Sequence, residues 1–271
     1  MACFLRLQRD MNPSEAAPQT DFDDPVLTVG CDASPYDVVI VGGGPAGLSA
    51  ALILGRCRRR VLIVDAGSPR NACARRMHGF LSRDSIHPGE FLGLAREDVL
   101  RYPTVELRHG CVTDVWRIES CFLVVTDDGF RAAARRLLLA TGVNDEIPEI
   151  EGLRELYGIC VHHCPICDGW EWRDRPVAVY GRGEKGIGLA QELTAWTRDI
   201  VLLTDGSSHL NEEQRERLAE LRIELDERPV ARLESEQDML RRIVFHTGPP
   251  LERGALFFST GHTQRSDLAR R

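Results

Sequence analysis

The feature that most constrains the fold of this chain is a strand–glycine turn–helix–strand unit that occurs twice in its 271 residues. In the first unit an apolar run over 37–41 leads directly into a G-x-G-x-x-G turn and a helical stretch. The glycines permit a tight turn and close approach to a pyrophosphate, and the helix N-terminus offers free N–H groups. A purely structural glycine turn is the less favoured alternative. The predicted dinucleotide-binding residues are Gly42, Gly44, Pro45, Ala46, Gly47 and the strand-end acid Asp65.

The second unit repeats the same pattern later in the chain. An apolar run over 176–180 precedes another G-x-G-x-x-G turn, and the next strand, over 199–204, leads to an acid. Repetition of one supersecondary geometry predicts an α/β protein with two Rossmann-like, three-layer domains. The predicted binding residues of this unit are Gly181, Gly183, Gly186 and Asp205.

The segment between the two units predicts a β-meander. Several short strands are expected over 105–126, and a buried strand over 136–140 ends in Thr141 and Gly142. A Rossmann half followed by a meander and a returning strand is typical of a flavin-binding domain rather than of a simple dehydrogenase. Thr141 and Gly142 are therefore added to the predicted cofactor-binding residues.

Two cysteines with a carboxylate beside them lie between the two glycine turns. Cys164 and Cys167 form a C-x-x-C motif that is followed at once by Asp168. Such a pair can close to a disulfide or open to a dithiol, and a neighbouring carboxylate can move the proton. We therefore predict a redox-active pair. A structural pair of buried cysteines is one alternative, and a zinc site is another, with additional candidate ligands at Cys160, His162 and His163.

The composition of the chain limits which kinds of partner it can bind and in which cellular compartment it is expected. A net charge of −7 argues against nucleic acid or an anionic membrane surface as a partner. Nine cysteines without a disulfide-framework spacing suit a reducing cytosol, and no apolar run reaches the roughly 18 residues of a membrane helix. We expect a cytoplasmic protein with a disordered tail over 1–35, which is rich in proline and acidic residues.

Taken in order, these motifs resemble the low-molecular-weight, thioredoxin reductase-like branch of the FAD- and NAD(P)-dependent pyridine nucleotide-disulfide oxidoreductases. The resemblance covers 36–271 and implies that the second Rossmann-like domain is inserted into the first. The expected boundaries are 36–146 for the first part of the FAD domain and 147–250 for the NAD(P) domain with the C-x-x-C. Residues 251–271 are expected to return to the FAD domain through a strand at Phe257-Phe258.

The resemblance also assigns roles. A nicotinamide would deliver hydride to FAD, and the reduced flavin would open the disulfide. Cys167 would be the sulfur that faces the flavin, Cys164 the thiol that attacks an external disulfide, and Asp168 the proton donor and acceptor. The implied partner is a thioredoxin-like protein or a small-molecule disulfide, and a homodimer is possible. No metal is expected.

Two departures from the family pattern modify these expectations. The basic cluster that holds the 2′-phosphate of NADPH is replaced by a segment beginning at Thr204-Asp205, which favours NADH or another donor. The family's Gly-Asp segment and flavin-covering helix do not follow Gly261-His262 before Arg271, so a C-terminally truncated FAD domain with weak FAD retention is expected. The alternatives are a non-catalytic, nucleotide-binding redox sensor and a dithiol oxidase of the same fold.

Overall fold

The structure, a computed structural model, describes residues 36–118 and 120–271, which divide into two compact units. Among these residues, the first unit comprises 36–69, 92–142 and 264–271, and the second comprises 70–91 and 143–263. The tail expected over 1–35 lies outside the described residues.

The first unit is built on a six-stranded sheet in the order β3-β2-β1-β6-β5-β4. Strands β1, β2, β3 and β6 are parallel, and β4, β5 and β6 form the antiparallel meander. The helix α2 begins in the second unit and ends in the first. The elements are β1 (Tyr36–Val41), α1 (Pro45–Arg56), β2 (Val61–Asp65), α2 (Pro88–Leu100), β3 (Val105–His109), β4 (Val112–Ile118), β5 (Cys121–Thr126) and β6 (Arg131–Leu139).

An unbroken run of apolar residues explains why β1 and β2 lie in the interior of this sheet rather than at its edges. Every residue over 38–41 and 61–64 is buried, as expected for parallel strands covered on both faces. The meander reverses at Gly129, whose φ of +81° suits a hairpin turn. The predicted Rossmann half, meander and returning strand are confirmed.

The second unit contains a parallel five-stranded sheet in the order β11-β10-β9-β15-β8. An antiparallel sheet β12-β13-β14 and a strand pair β16-β7 accompany it. A short 3₁₀ helix over Gly169–Trp172 follows α4. The elements are β7 (Val143–Asp145), α3 (Leu153–Leu156), β8 (Val161–His162), α4 (Pro165–Asp168), β9 (Val177–Tyr180), α5 (Gly183–Leu193), β10 (Ile200–Leu203), α6 (Glu212–Glu220), β11 (Glu224–Asp226), β12 (Val230–Glu236), β13 (Met239–Phe245), β14 (Leu251–Glu252), β15 (Ala255–Phe258) and β16 (His262–Gln264).

One predicted strand belongs to a different sheet than expected. The strand at Phe257-Phe258 was expected to re-enter the first unit, but β15 lies between β9 and β8 in the second. A fully apolar stretch of four residues suits the centre of any parallel sheet, so its sequence does not identify which sheet receives it. The chain returns to the first unit only at Gln264, where the backbone N–H of Arg265 donates to the carbonyl of Gly142.

In the part of the chain that the structure describes, no helix has the length and apolar character needed to cross a bilayer.

Candidate functional site: a C-x-x-C disulfide with a buried histidine, and two glycine turns

The two cysteines of the C-x-x-C motif are joined in a disulfide at the start of a short helix. Strand β8 leads to Cys164, which caps α4 in an extended conformation and accepts a hydrogen bond on Sγ from the Cys167 N–H at 3.2 Å. Pro165 occupies the first helical turn, where its fixed φ is favourable. The Cα atoms of the two cysteines are 5.3 Å apart. The predicted pair is thus brought together by local structure alone.

The exposure of the motif differs between its members. Cys164 is half-buried, Cys167 is exposed, and Ile166 between them is 76% exposed. We expected Cys164 to be the outward-facing cysteine, but Cys167 is the more accessible residue in the oxidised pair. The separate roles of the two sulfurs remain a prediction.

Asp168 contacts a buried histidine from the strand that precedes the motif. His162 Nδ1 lies 3.3 Å from Asp168 Oδ1, and His162 Nε2 accepts a hydrogen bond from Trp172 Nε1 at 3.2 Å. The His162 side chain is only 5% exposed, whereas that of Asp168 is 26% exposed. Sequence reasoning named His162 only as a possible zinc ligand, because nothing in the spacing shows where its ring points.

The zinc alternative does not match the arrangement of its candidate ligands. Cys160 is buried in the core, where its sulfur accepts the Leu240 N–H at 3.2 Å. Burial raises the pKa of this thiol. Among the described residues, no group of three or more histidine, cysteine, aspartate or glutamate side chains is arranged to hold a metal ion.

A second polar cluster in this unit was missed from the sequence. The Asp145 side chain is 5% exposed and accepts hydrogen bonds from the Arg70 guanidinium (2.5 and 2.9 Å) and from the Tyr157 hydroxyl (2.9 Å). His163 Nδ1 lies 2.8 Å from the same hydroxyl, and Arg70 Nη2 is 3.0 Å from His163 Nε2. His262 Nε2 lies 3.2 Å from Asp145. These residues have no common spacing that a motif search could find.

The hydrogen bonds in this cluster determine the state of its titratable groups. Because Tyr157 donates to Asp145, His163 must donate from Nδ1 to the tyrosine oxygen and accept from Arg70 on Nε2. Burial lowers the pKa of His163, which keeps the ring neutral. Burial alone would raise the pKa of Asp145, but the hydrogen bonds from Arg70 and Tyr157 outweigh it and lower that pKa.

Replacing Asp145 with asparagine is expected to destabilise the protein by about 2 kcal/mol at neutral pH, because the Arg70 guanidinium, which is 40% exposed, and the Tyr157 hydroxyl lose a charged acceptor. Since the pKa of Asp145 is lowered in the folded state, its contribution is present above the unfolded-state pKa. It is lost as the pH falls through the lowered folded-state pKa. Urea unfolding of both proteins from pH 7 into acid measures this difference. Tyr157→Phe, which removes one donor, should cost only about 1 kcal/mol, and a D145N penalty independent of pH would contradict the assignment.

The glycines of the first unit shape a turn that a side chain would fill. Gly42 has a φ of +108°, and a β-carbon there would collide with the Ala140 carbonyl. A β-carbon on Gly47 would collide with the Gly42 carbonyl, whereas one on Gly44 would meet nothing within 4 Å. The turn therefore packs tightly on its inner side and is open where α1 begins, which fits the diphosphate of FAD.

Asp65 and the returning loop complete this candidate cofactor site. The Asp65 carboxylate accepts the Gly43 N–H at 3.0 Å and contacts Arg96 at 2.9 Å. Thr141 and Gly142 follow β6, whose backbone pairs with β1 beside the turn. A carboxylate has further acceptor positions for ribose hydroxyls, so the residues present are compatible with the predicted cofactor.

The second glycine turn has the same close packing, and its strand-end acid is likewise hydrogen-bonded. A β-carbon on Gly186 would lie 2.6 Å from the Gly181 carbonyl oxygen, and Gly183 adopts a φ of +55°. Asp205 accepts the Val230 N–H at 2.8 Å and the Tyr180 hydroxyl at 2.9 Å. Burial, then the hydrogen bond to Asp205, raises the pKa of Tyr180 to about 12.

A residue within this turn also reaches the strand-end acid. Arg182 donates from Nε to the Thr204 carbonyl at 2.6 Å, and its Nη2 lies 3.4 Å from an Asp205 carboxylate oxygen. The predicted contact of Asp205 with a ribose therefore has to use acceptor positions that these groups leave available, and it remains a prediction.

Comparisons with known proteins agree with this arrangement. The family model described as pyridine nucleotide-disulphide oxidoreductase matches residues 36–271. A probable thioredoxin reductase from Arthroderma benhamiae is 31% identical over 86% of the chain, and thioredoxin reductase aclD from Aspergillus oryzae is 32% identical over 86%. The chain spans 65% and 77% of these relatives, respectively.

A solved structure gives the same result for the fold. The putative thioredoxin reductase TrxB from Bacillus anthracis superposes with a TM-score of 0.83 and 32% identity, over 86% of this chain and 79% of that one. The family match includes both glycine turns and the C-x-x-C motif. The chain therefore belongs to the pyridine nucleotide-disulphide oxidoreductase family.

Proposed function

We propose that this protein is a flavin-dependent disulfide oxidoreductase that passes electrons from NAD(P)H through FAD to the Cys164–Cys167 disulfide and on to an external disulfide. The observation that carries the proposal is the disulfide itself, formed within a C-x-x-C whose next residue, Asp168, is partly open to solvent. Its location in a member of this family supports redox use over a structural one.

FAD, when bound, supplies a carrier that takes up hydride and passes an electron pair to a disulfide. The residues proposed to hold it act through their backbone. The turn at Gly42, Gly44 and Gly47 admits the diphosphate to the N-terminus of α1, where N–H groups favour negative charge. Asp65 offers its carboxylate to a ribose.

The cysteines and Asp168 perform the exchange. Opening the disulfide by an electron pair and two protons yields a dithiol. The Cys164 thiolate attacks the external disulfide, and Cys167 then displaces the mixed disulfide, which regenerates the internal bond. Asp168 takes a proton from each cysteine thiol in turn and gives one to each departing thiolate.

We also propose NADH as the preferred nicotinamide. Asp205 stands at the strand-end position of the second unit, where a carboxylate repels a 2′-phosphate and accepts from a ribose diol. The expected preference in kcat/KM for NADH over NADPH is at least about tenfold, or 1.4 kcal/mol. The partner is a thioredoxin-like protein or a small-molecule disulfide, and the proposed setting is a cytoplasmic protein that forms a homodimer.

The experiment adds FAD to the purified full chain and follows NADH and NADPH oxidation with a dialkyl disulfide and with thioredoxin as acceptors. The proposal predicts nicotinamide oxidation that depends on the acceptor and is faster with NADH. Equal rates with both nicotinamides would refute only the proposed preference. No oxidation of either nicotinamide, with FAD bound, would refute the proposed direction of electron flow.

A dithiol oxidase is the second candidate function, and the occupied acid of the second glycine turn favours it. Asp205 is engaged by Tyr180, Val230 and Arg182. Among the described residues the Asp65 carboxylate is engaged only by Gly43 and Arg96, so Asp205 has less of its carboxylate left for a ribose. In this case a dithiol substrate would give two electrons and two protons, and O₂ would be reduced to H₂O₂. Consumption of a dithiol with stoichiometric H₂O₂ and without nicotinamide oxidation would identify this activity.

A further inference from the structure

We propose that His162 is a positioning residue: it holds the Asp168 carboxylate in place for proton transfer to the thiolate that leaves during disulfide exchange, and Trp172 fixes the tautomer in which it does so. This inference rests on the proposed exchange function of Cys164 and Cys167.

The hydrogen-bonding partners of His162 determine where its ring proton lies. Trp172 Nε1 can only donate, and it is 3.2 Å from His162 Nε2, so Nε2 must be the acceptor. In the neutral ring the proton is then on Nδ1. That nitrogen lies 3.3 Å from Asp168 Oδ1. Trp172 thus selects the tautomer that faces Asp168.

The surroundings of His162 keep its ring in one orientation. The side chain is 95% buried, and its ring packs against that of Phe257, with the centroids 5.3 Å apart and the planes tilted by 37°. Phe257 is the residue paired with His162 across β8 and β15. Trp172 is 7% exposed, so the donor is also fixed in the core. His162 thereby connects Asp168 to the sheet, although Asp168 ends the short helix α4 next to the exposed Ile166 and Cys167.

The exchange step uses Asp168 as follows. The Asp168 carboxylate first takes the proton of the Cys164 thiol. The Cys164 thiolate then forms a bond to one sulfur of a disulfide R–S–S–R as that S–S bond breaks, and Asp168 transfers the proton to the departing R–S⁻. The Asp168 carboxylate then removes the proton of Cys167, whose thiolate attacks Cys164 and releases the second R–S⁻. Asp168 passes the proton to it, so the dithiol and R–S–S–R become the internal disulfide and two R–SH.

Other titratable groups near Asp168 do not replace His162. The negative charge of Asp168 acts on two other titratable groups, His163 and Cys73, and tends to raise the pKa of each. His163 has its ring nitrogens engaged by Tyr157 and Arg70, and burial raises the pKa of Cys73, which keeps that thiol protonated. His162 is the histidine in direct contact with the Asp168 carboxylate.

The test compares two disulfides that differ in their need for an acid. The full chain is reduced with a phosphine, desalted, and mixed with 2-hydroxyethyl disulfide or with an aromatic disulfide, dithiobis(nitrobenzoate). The alkyl thiolate leaves slowly unless it is protonated, whereas the nitrobenzoate thiolate leaves without a proton. The rate of closure of the Cys164–Cys167 disulfide is measured, with a C164S/C167S protein as the blank for the remaining thiols.

Asp168→Ala is expected to slow exchange with the alkyl disulfide about 100-fold and exchange with the aromatic one far less. Buffer base can take the proton of a cysteine thiol, whereas the departing alkyl thiolate needs the positioned acid. His162→Gln, which offers no donor at the Nδ1 position, should slow the alkyl reaction about tenfold. His162→Asn places an amide N–H near the Nδ1 position and should restore most of the rate. When H162Q is combined with D168A, the rate of exchange with the alkyl disulfide should fall no further than in D168A alone.

Several outcomes would overturn the proposal. H162Q could slow both disulfides equally, H162N could fail to restore the alkyl rate in a folded protein, or H162Q could add its full loss to D168A. Thermal unfolding of each variant, with His246→Gln on the surface as the control, reports folding separately. A wild-type dithiol that exchanges with neither disulfide would refute the proposed function itself, because no nicotinamide or flavin enters this experiment.

Discussion

Cys164→Ser and Cys167→Ser each lower disulfide reduction at least about 10³-fold, because turnover needs two sulfurs that alternate between a bond and a dithiol. A serine hydroxyl neither forms the internal disulfide nor attacks an external one at neutral pH. Both positions lie in or beside α4, with one residue half-buried and the other exposed, so a change from sulfur to oxygen costs little stability. Nicotinamide oxidation coupled to a dialkyl disulfide in the presence of added FAD measures the loss, and an FAD affinity equal to that of the wild type shows that the cofactor site is intact.

The matched control for these variants is Cys57→Ser. Cys57 is a free, exposed cysteine directly after α1, remote in sequence from the motif. Its replacement should leave the rate within about twofold of the wild type. Retention of more than a tenth of the activity in either Cys164→Ser or Cys167→Ser would mean that electrons reach the acceptor without this pair.

Gly47→Ala is expected to disrupt the first unit. The added β-carbon would overlap the Gly42 carbonyl and lie 3.3 Å from Ile40 Cγ2. Neither neighbour can move away easily. The Gly42 carbonyl belongs to the backbone of a turn with positive φ, and the Ile40 side chain is fully buried. Overpacking of this kind costs about 3 kcal/mol or more. The expected result is a large decrease in the urea concentration at the unfolding midpoint, together with loss of FAD binding.

Gly44→Ala separates the cofactor role of this turn from its structural role. A β-carbon at Gly44 meets nothing within 4 Å, and the residue has an ordinary φ of −78°. The variant should stay folded, with a loss of about 1 kcal/mol at the helix N-cap. It should nevertheless weaken FAD binding at least about tenfold if a diphosphate occupies that open space. Unchanged FAD affinity in folded Gly44→Ala would show that the cofactor does not approach this part of the turn.

Local sequence patterns predict those parts of the fold that depend on interactions between residues close in sequence. The apolar strand, glycine turn and helix of each unit occur where expected, because tight turns require glycine and buried parallel strands require uninterrupted apolar residues. The assignment of β15 to a sheet was wrong, because its four apolar residues suit either one. The choice depends on a long-range partner, β9, rather than on the strand itself.

The polar surroundings of the candidate site could be predicted only in part. Cys164, Cys167 and Asp168 are close in sequence, so their motif is visible. The partners of Asp145 come from distant segments, and only folding brings Arg70 and His262 to one carboxylate. The role of His162 depends on which way its ring faces, and that direction is fixed by Trp172. Such contacts join residues at no fixed separation along the sequence, so no sequence motif reveals them.

The central claim is that the Cys164–Cys167 disulfide receives the electrons that the flavin takes from a nicotinamide. The most direct test reduces the FAD-supplemented full chain anaerobically with excess NADH, quenches it with iodoacetamide, and measures the mass of the peptide that contains both cysteines. Two added carbamidomethyl groups, absent before reduction, are the predicted result. A bleached flavin with the Cys164–Cys167 disulfide still intact would contradict the claim.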